Sequence, residues 1–467
     1  MQTLLQRQKT AHLQEGAPSL ELRYDRLDRL DALLAGNADK LAQAMSEDFG
    51  SRSRQASQLY DVLALRQSIQ HCRAHLPQWL QSEHHDAPYS GAELRVDFQP
   101  KGVVGVVSPW NFPVQLALGP VVCILGAGNR AILKPSELTP ATSALMQQLI
   151  AASFDQTELA VVTGGPDIGV AFTQLAFDHL IFTGGTSVGR HVARAAADNL
   201  VPLTLELGGK SPAIIGSSAD LHQAVGRIMA AKTVNAGQIC IAPDYVLIPR
   251  GQEDAFVAEA GAAVAAMFPT LKDNPDYTSI INQRHFARIN GLVDDARAKG
   301  ARVVEINPAQ EDFSEPSLHR IAPTLVLDTT PDMDIVHEEI FGPVLPVLAY
   351  DSIEQAIAYI NARPRPLALY YFGKDEAEER RVLQSTTSGA VTVNDCLSHV
   401  AAEDLPFGGI GDSGMGAYHG RYGFLTFSHA KAIYRQAEAP PAEALLRPPY
   451  AQPIKQFLAQ ALGQTGQ

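Results

Sequence analysis

The chain has 467 residues, 46% of them hydrophobic, and a formal net charge of −13 at pH 7. That length accommodates two or three domains with sizeable cores, and the acidic balance argues against a nucleic-acid surface. The four cysteines, Cys72, Cys123, Cys240 and Cys396, show no metal-type pairing. Together with an N-terminus that lacks the apolar core of a signal peptide, they suit a reducing, cytoplasmic setting.

In chain order, Ser19 predicts the cap of a helix that places Leu20, Tyr24, Leu27, Leu30 and Leu34 on one face. A second helix is expected to run to Phe49 and stop at Gly50. Residues 93–99 alternate polar and apolar side chains and predict an exposed strand. The most apolar stretch, 102–125, is broken by Ser108, Asn111, Gln115 and three prolines, so it predicts a buried strand, loop and helix instead of a membrane span. Short apolar runs at 103–107, 130–133, 159–162, 179–182 and 203–207 alternate with helix-length segments. That rhythm predicts a parallel sheet covered by helices on both faces.

A second series follows Gly209. Strands are expected at 213–215, 245–248, 324–327, 344–348, 368–372 and 390–393, with helices at 221–234 and 252–267. The fold class is therefore α/β with two parallel-sheet domains. The expected division is 1–82 with 102–208 for the first domain and 209–412 for the second. Residues 83–101 and 413–467 supply bridging strands and a tail, Leu445 to Leu462, with a Pro-Pro break and a short amphipathic helix. Strand 93–99 and the segment 430–437 suggest a homodimer formed by sheet extension. No stable membrane insertion is expected, since the tail is short and poorly basic.

Three segments carry chemistry. Pro109-Trp110-Asn111-Phe112-Pro113 offers a side-chain amide, Leu205-Glu206-Leu207-Gly208-Gly209-Lys210 a carboxylate beside two glycines, and Gly237-Gln238-Ile239-Cys240 a thiol in a small-residue turn. A thiol, a carboxylate and an amide donor are the parts of a covalent acyl-transfer site. Glycines beside the carboxylate leave room for a flat ligand. The carboxylate closes the first strand series and the thiol lies in the second, so a shared site falls in an interdomain cleft.

These segments, with Leu133-Lys134-Pro135-Ser136-Glu137, Phe182-Thr183-Gly184-Gly185-Thr186-Ser187-Val188-Gly189, Glu338-Glu339-Ile340-Phe341-Gly342-Pro343 and Leu405-Pro406-Phe407-Gly408-Gly409, resemble the NAD(P)-dependent aldehyde dehydrogenases over most of the chain. Cys240-Ile241-Ala242-Pro243-Asp244-Tyr245 and Gly411-Asp412-Ser413-Gly414-Met415-Gly416 resemble the class-three branch. General similarity is nearest to the bacterial coniferyl aldehyde dehydrogenases.

The resemblance implies a Rossmann-like cofactor domain, a catalytic domain and a small β bridging and oligomerisation element. It also implies that Cys240 is the nucleophile, that Asn111 and the Cys240 N–H form the oxyanion hole, and that Glu206 is the base. Glu339 is the rival base in this branch, expected instead to hold the nicotinamide ribose with Phe341 beside it. The cofactor residues implied are Pro109, Trp110, Lys134, Glu137, Gly184, Gly185, Thr186, Gly189, Leu207 and Gly208. Gly185 stands where serine is common, which removes one side-chain phosphate contact. Glu137 near the adenosine 2′ position favours NAD, with NADP possible. Phe112, His399 and Phe407 are the expected pocket residues for a small-molecule aldehyde, either aromatic such as coniferyl aldehyde or medium-chain aliphatic. No metal ligand spacing is apparent. The alternatives are a CoA-acylating relative, which commonly lacks the carboxylate at Glu206, and a non-catalytic NAD-binding protein on the same fold.

Overall fold

In the computed structural model, residues 1–87, 90–313, 318–438, 448–450 and 452–463 are described. The N-terminal region is helical, with helices Gln2–Glu15, Leu20–Phe49 and Ala64–Trp79. Ser19 caps the second, its side chain accepting from Leu22 N–H. The two helices expected between Ser19 and Gly50 are one element, bent at Asn37, which leaves helical geometry (φ −131°). Its Nδ2 donates to the Leu33 carbonyl at 2.9 Å. This side-chain bond to the preceding turn accompanies the bend where the sequence suggested a break.

Two strands follow, β1 (Glu83–His85) and β2 (Glu93–Pro100). Next come β3 (Val103–Val107), β4 (Arg130–Lys134), β5 (Leu159–Val161), β6 (His179–Thr183) and β7 (Leu203–Glu206). These five run parallel in the order β7-β6-β3-β4-β5. Every residue of β4 and β6 is buried, as two helix-covered faces require. The order reverses beside β3, which opens a crevice at the C-terminal ends of β3 and β6.

The second sheet contains β8 (Pro212–Ile215), β9 (Tyr245–Pro249), β10 (Arg302–Glu305), β11 (Thr324–Leu327), β12 (Val344–Tyr350), β13 (Ala368–Phe372) and β14 (Ala390–Val393). Their order is β10-β11-β12-β9-β8-β13-β14. The chain then returns twice. Strand β15 (Gly414–Met415) joins the first sheet at β7, and β16 (Ser428–Arg435) pairs with β2 along its whole length.

Two expectations change. Each large sheet carries one antiparallel edge strand, β15 on the first and β10 on the second, so neither is purely parallel. Strand 93–99 is the middle of a three-stranded sheet, held by β1 and β16. The open edges there belong to β1 and β16. The β10 segment, Arg302-Val303-Val304-Glu305, lacks the continuous apolar run of a buried strand because it is an edge with exposed ends. Of the tail, Leu445, Leu446 and Arg447 lie outside the described residues. The helix Gln452–Ala461 has no buried residue. Among the described residues, no helix is long and apolar enough to cross a membrane.

Candidate active site

The loops after β3, β4, β6 and β7 carry, in turn, Pro109 and Trp110, Glu137, Gly184 to Thr186, and Leu207 with Gly208. All of them therefore meet at the C-terminal edge of one sheet, where α/β folds bind ligands. Helix Thr186–Ala197 begins at Gly185, and no side chain caps it. A Cβ on Gly185 would meet nothing within 4 Å. The bare N–H groups and the dipole of that terminus face open space, an arrangement that suits a phosphate. Gly189 serves packing: a Cβ there would lie 2.7 Å from Leu207 Cδ2, so a larger residue would have to push the Leu207 side chain aside. Thr186 Oγ1 donates to the Asp412 carbonyl at 3.1 Å.

A cleft of about 430 Å3 runs past Thr186, Gly208, Gly209 and Glu339. The Glu339 carboxylate lies against Gly208, where any Cβ would strike it. Burial and the nearby Asp244 carboxylate raise its pKa to about 8. Its backbone is anchored from two sides. Arg288 Nη1 donates to the Glu339 carbonyl at 3.1 Å, and Asp244 Oδ1 accepts from Ile340 N–H at 2.9 Å. Lys210 pairs with Asp244 and donates to the Glu338 carbonyl at 2.9 Å. Phe341, at φ 50°, sets its ring edge-on to Trp110, with centroids 5.3 Å apart.

Lys134 and Glu137 form an ion pair at 3.3 Å; the lysine is buried and the carboxylate is 39% exposed. Glu137 is therefore available to a ligand hydroxyl. An open helix terminus, a glycine-walled cleft and an exposed acid beyond β4 fit a dinucleotide. When bound, NAD(P)+ supplies a hydride acceptor.

Cys240 is held by a different device. Helix Leu221–Thr233 ends in a turn in which Asn235 (φ 51°) and Ala236 (φ 50°) are left-handed. Gln238 is fully buried and locks this turn. Its Nε2 donates to the carbonyls of Asn235 (2.9 Å) and Ser279 (3.1 Å), and its Oε1 accepts from Ile281 N–H at 3.0 Å. Asn111 Nδ2 donates to the Gln238 carbonyl at 3.1 Å, which ties the amide to the cysteine loop. The Asn111 carbonyl in turn accepts from Arg52 Nη1 (2.7 Å) and Asn235 Nδ2 (3.0 Å). Arg52 is neutralised by the buried Asp61 at 2.7 Å, whose other oxygen accepts from Val114 and Gln115 N–H at the start of the next helix.

Cys240 opens into a cavity of about 410 Å3 with Phe112, Phe407 and Tyr418 in its walls. Burial, then the Glu339 and Glu206 carboxylates, push its thiol up to about 12. Cys72, Cys123 and Cys396 are buried, and burial raises each thiol. Cys396 also borders this cavity. Glu206 is 2% exposed, both carboxylate oxygens lack a hydrogen-bond partner, and burial holds its pKa well above the ordinary value.

His399 is placed differently from expectation. It lies behind the cavity wall, stacked on Phe407 at 6.2 Å, with Nδ1 2.8 Å from Thr392 Oγ1. Burial lowers its pKa to about 4, so it supports Phe407 as a neutral ring. Sequence reasoning did not single out Arg52, Asp61, Asn235 or Gln238 for this site. Arg52, Asp61 and Asn235 reach residues 111–115, and Gln238 reaches Ser279 and Ile281, over sequence separations that no local pattern records.

Known proteins match this arrangement. The Aldehyde dehydrogenase family profile covers residues 6–433. A probable coniferyl aldehyde dehydrogenase of Caulobacter vibrioides is 56% identical over 98% of this chain and 96% of its own length. A coniferyl aldehyde dehydrogenase of a Pseudomonas species is 54% identical over 97% and 95%. Among solved structures, the substrate-bound state of Staphylococcus aureus AldH superposes with TM-score 0.92 at 34% identity, covering 98% of this chain and 99% of that one. The chain belongs to the aldehyde dehydrogenase family and is an NAD(P)-dependent oxidoreductase that converts aldehydes to carboxylic acids.

Proposed function

We propose that the substrate is an aromatic, cinnamyl-type aldehyde such as coniferyl aldehyde, oxidised through a thioester on Cys240. The observation that carries this reading is the cavity at Cys240, whose aromatic walls, Phe112, Phe407 and Tyr418, suit a flat ring. The relatives named for coniferyl aldehyde support it. Purified protein assayed on aliphatic, benzyl and cinnamyl aldehydes should show the highest kcat/KM for the cinnamyl compound, by about tenfold. A preference for hexanal would overturn the aromatic reading and leave the reaction class standing. Acyl-CoA among the products, with CoA present, would favour the acylating alternative.

In this reading Cys240 attacks the carbonyl carbon, and its proton leaves to a carboxylate. Negative charge on the aldehyde oxygen is met by the Asn111 amide and the Cys240 N–H. Glu206 then takes a proton from the water that attacks the thioester. Its unpartnered, buried carboxylate favours it over Glu339, whose carboxylate lies against Gly208 in the glycine-walled cleft and is suited to holding the cofactor ribose. Asn111→Ala removes one donor and should lower kcat by about 10²–10³, or ~3–4 kcal/mol. Steady-state rates with circular dichroism as a folding control check this.

Glu137→Gln should shift preference toward NADP+, since the carboxylate repels a 2′-phosphate. The coulombic effect is about 1–4 kcal/mol at 4 Å, depending on the effective dielectric. An unchanged ratio of specificity constants for the two cofactors would place Glu137 away from the ribose. We further propose a cytoplasmic homodimer joined along the open edge of β16, with the first large sheet as cofactor domain and the second as catalytic domain. Sedimentation analysis tests the assembly.

A further inference from the structure

Outside the aldehyde site, His71 and His75 lie one turn apart on helix Ala64–Trp79, a spacing that puts both imidazoles on one face. Their ring centroids are 4.2 Å apart. Asp404, in the loop leading to Phe407, reaches the same point, with Oδ1 3.5 Å from His71 Nε2. One ligating atom from each of the three residues lies within 4.8 Å of the other two.

Three features suit a cation. His75 Nδ1 is 2.8 Å from the His71 carbonyl. A carbonyl only accepts, so Nδ1 carries the proton and Nε2 keeps a lone pair. Metal-binding histidines are commonly oriented by such a bond. His71 Nε2 is buried without a hydrogen-bond partner. His75 and Asp404 both border an open cleft of about 650 Å3, which leaves room for water to complete a coordination shell. Packing against Trp79, 5.6 Å from the His75 ring, explains the orientation of the imidazoles, and without a cation the 3.5 Å approach of Asp404 to His71 Nε2 is a plain ion pair that requires His71 to carry two ring protons.

We propose that His71, His75 and Asp404 form a binding site for a divalent transition cation of the zinc type. Two imidazoles and one carboxylate match Zn2+ chemistry and not that of Mg2+ or Ca2+. Zn–N bonds of about 2.0–2.1 Å require the three groups to draw inward, and Asp404, 88% exposed, has room to follow. The site would join two elements that also border the aldehyde cavity, since Ala64 starts the helix and Phe407 follows Asp404. Occupancy would stiffen that wall.

The test is titration of tag-free, chelator-treated protein with Co2+, a spectroscopic stand-in for Zn2+. Cys240→Ser is the background, so that the reactive thiol is out of play. One equivalent should give the intense visible bands of low-coordinate cobalt without a thiolate charge-transfer band, and Zn2+ should displace it. His75→Ala and Asp404→Asn, made in the same background and each altering a side chain at the cleft surface, should weaken binding by at least about tenfold. In the otherwise wild-type chain, both substitutions should leave dehydrogenase activity in chelator intact. Failure to bind cobalt, or equal binding in both variants, overturns the proposal. So does a signal seen only when Cys240 is present, which would place the cation on the catalytic thiol.

Discussion

Cys240→Ala should abolish NAD(P)H formation while cofactor binding survives. Cys240 is the thiol positioned by the Asn235–Gln238 turn, and it opens into the apolar cavity. The other three cysteines are buried, and burial raises each thiol. In the resting state the Cys240 thiol is pushed up to about 12, far above the pH at which an enzyme works, so a free thiolate is scarce. Attack therefore requires removal of the proton as the bond forms. The carboxylates that raise the thiol's pKa, Glu339 and Glu206, are proton acceptors near enough to influence it. Turnover of the alanine variant, cofactor binding by fluorescence quenching and intact mass after incubation with aldehyde make the test. More than a few per cent of residual rate, or an acyl adduct on Cys72, Cys123 or Cys396, would remove Cys240 from its role.

Glu206→Gln should accumulate the acyl-enzyme. Hydride departure needs no base, but water attack on the thioester does. Pre-steady-state kinetics should show a burst of NAD(P)H followed by slow turnover, with the acyl mass on the protein. In the unsubstituted enzyme, activity should fall as pH drops through the raised Glu206 pKa, because only the ionised form accepts a proton. Normal turnover in the variant would make Glu339 the base.

The same substitution has a stability readout of opposite sense. Burial raises the Glu206 pKa well above its usual value, so the folded state holds a proton that the unfolded chain releases. By linkage, this site contributes full stability below the unfolded value of about 4.3 and loses it as pH rises toward the folded value. Glutamine is neutral throughout. Glu206→Gln should therefore melt above the parent protein at pH 8, and the difference should shrink toward pH 4. A lower melting temperature at pH 8 would show that the carboxylate gains a partner in solution.

The chain's local patterns determined most of the architecture. Runs such as Val103–Val107 and Ala368–Phe372 occur as strands with those bounds, because a strand covered on both faces must be continuously apolar. The Gly-rich turns were legible for a similar reason, since close backbone approach selects glycine, whereas the roles of Asn111, Glu206 and Cys240 rested on the family resemblance. Tertiary structure alone decided the supports. Arg52, paired with Asp61, reaches the Asn111 carbonyl from 59 residues away, and Asp244 and Lys210 hold the Glu339 turn. A buried ion pair needs only its partner, which can lie anywhere in the chain, so it imposes no spacing. His399 illustrates the same limit. Its place before the Phe407 motif suggested a pocket lining, yet packing put the ring behind Phe407, where desolvation keeps it neutral. Asp404 meets His71 and His75 only because the chain returns beside the helix that carries them. Covalent neighbours shape local conformation, whereas contacts between distant segments arise from how the layers pack.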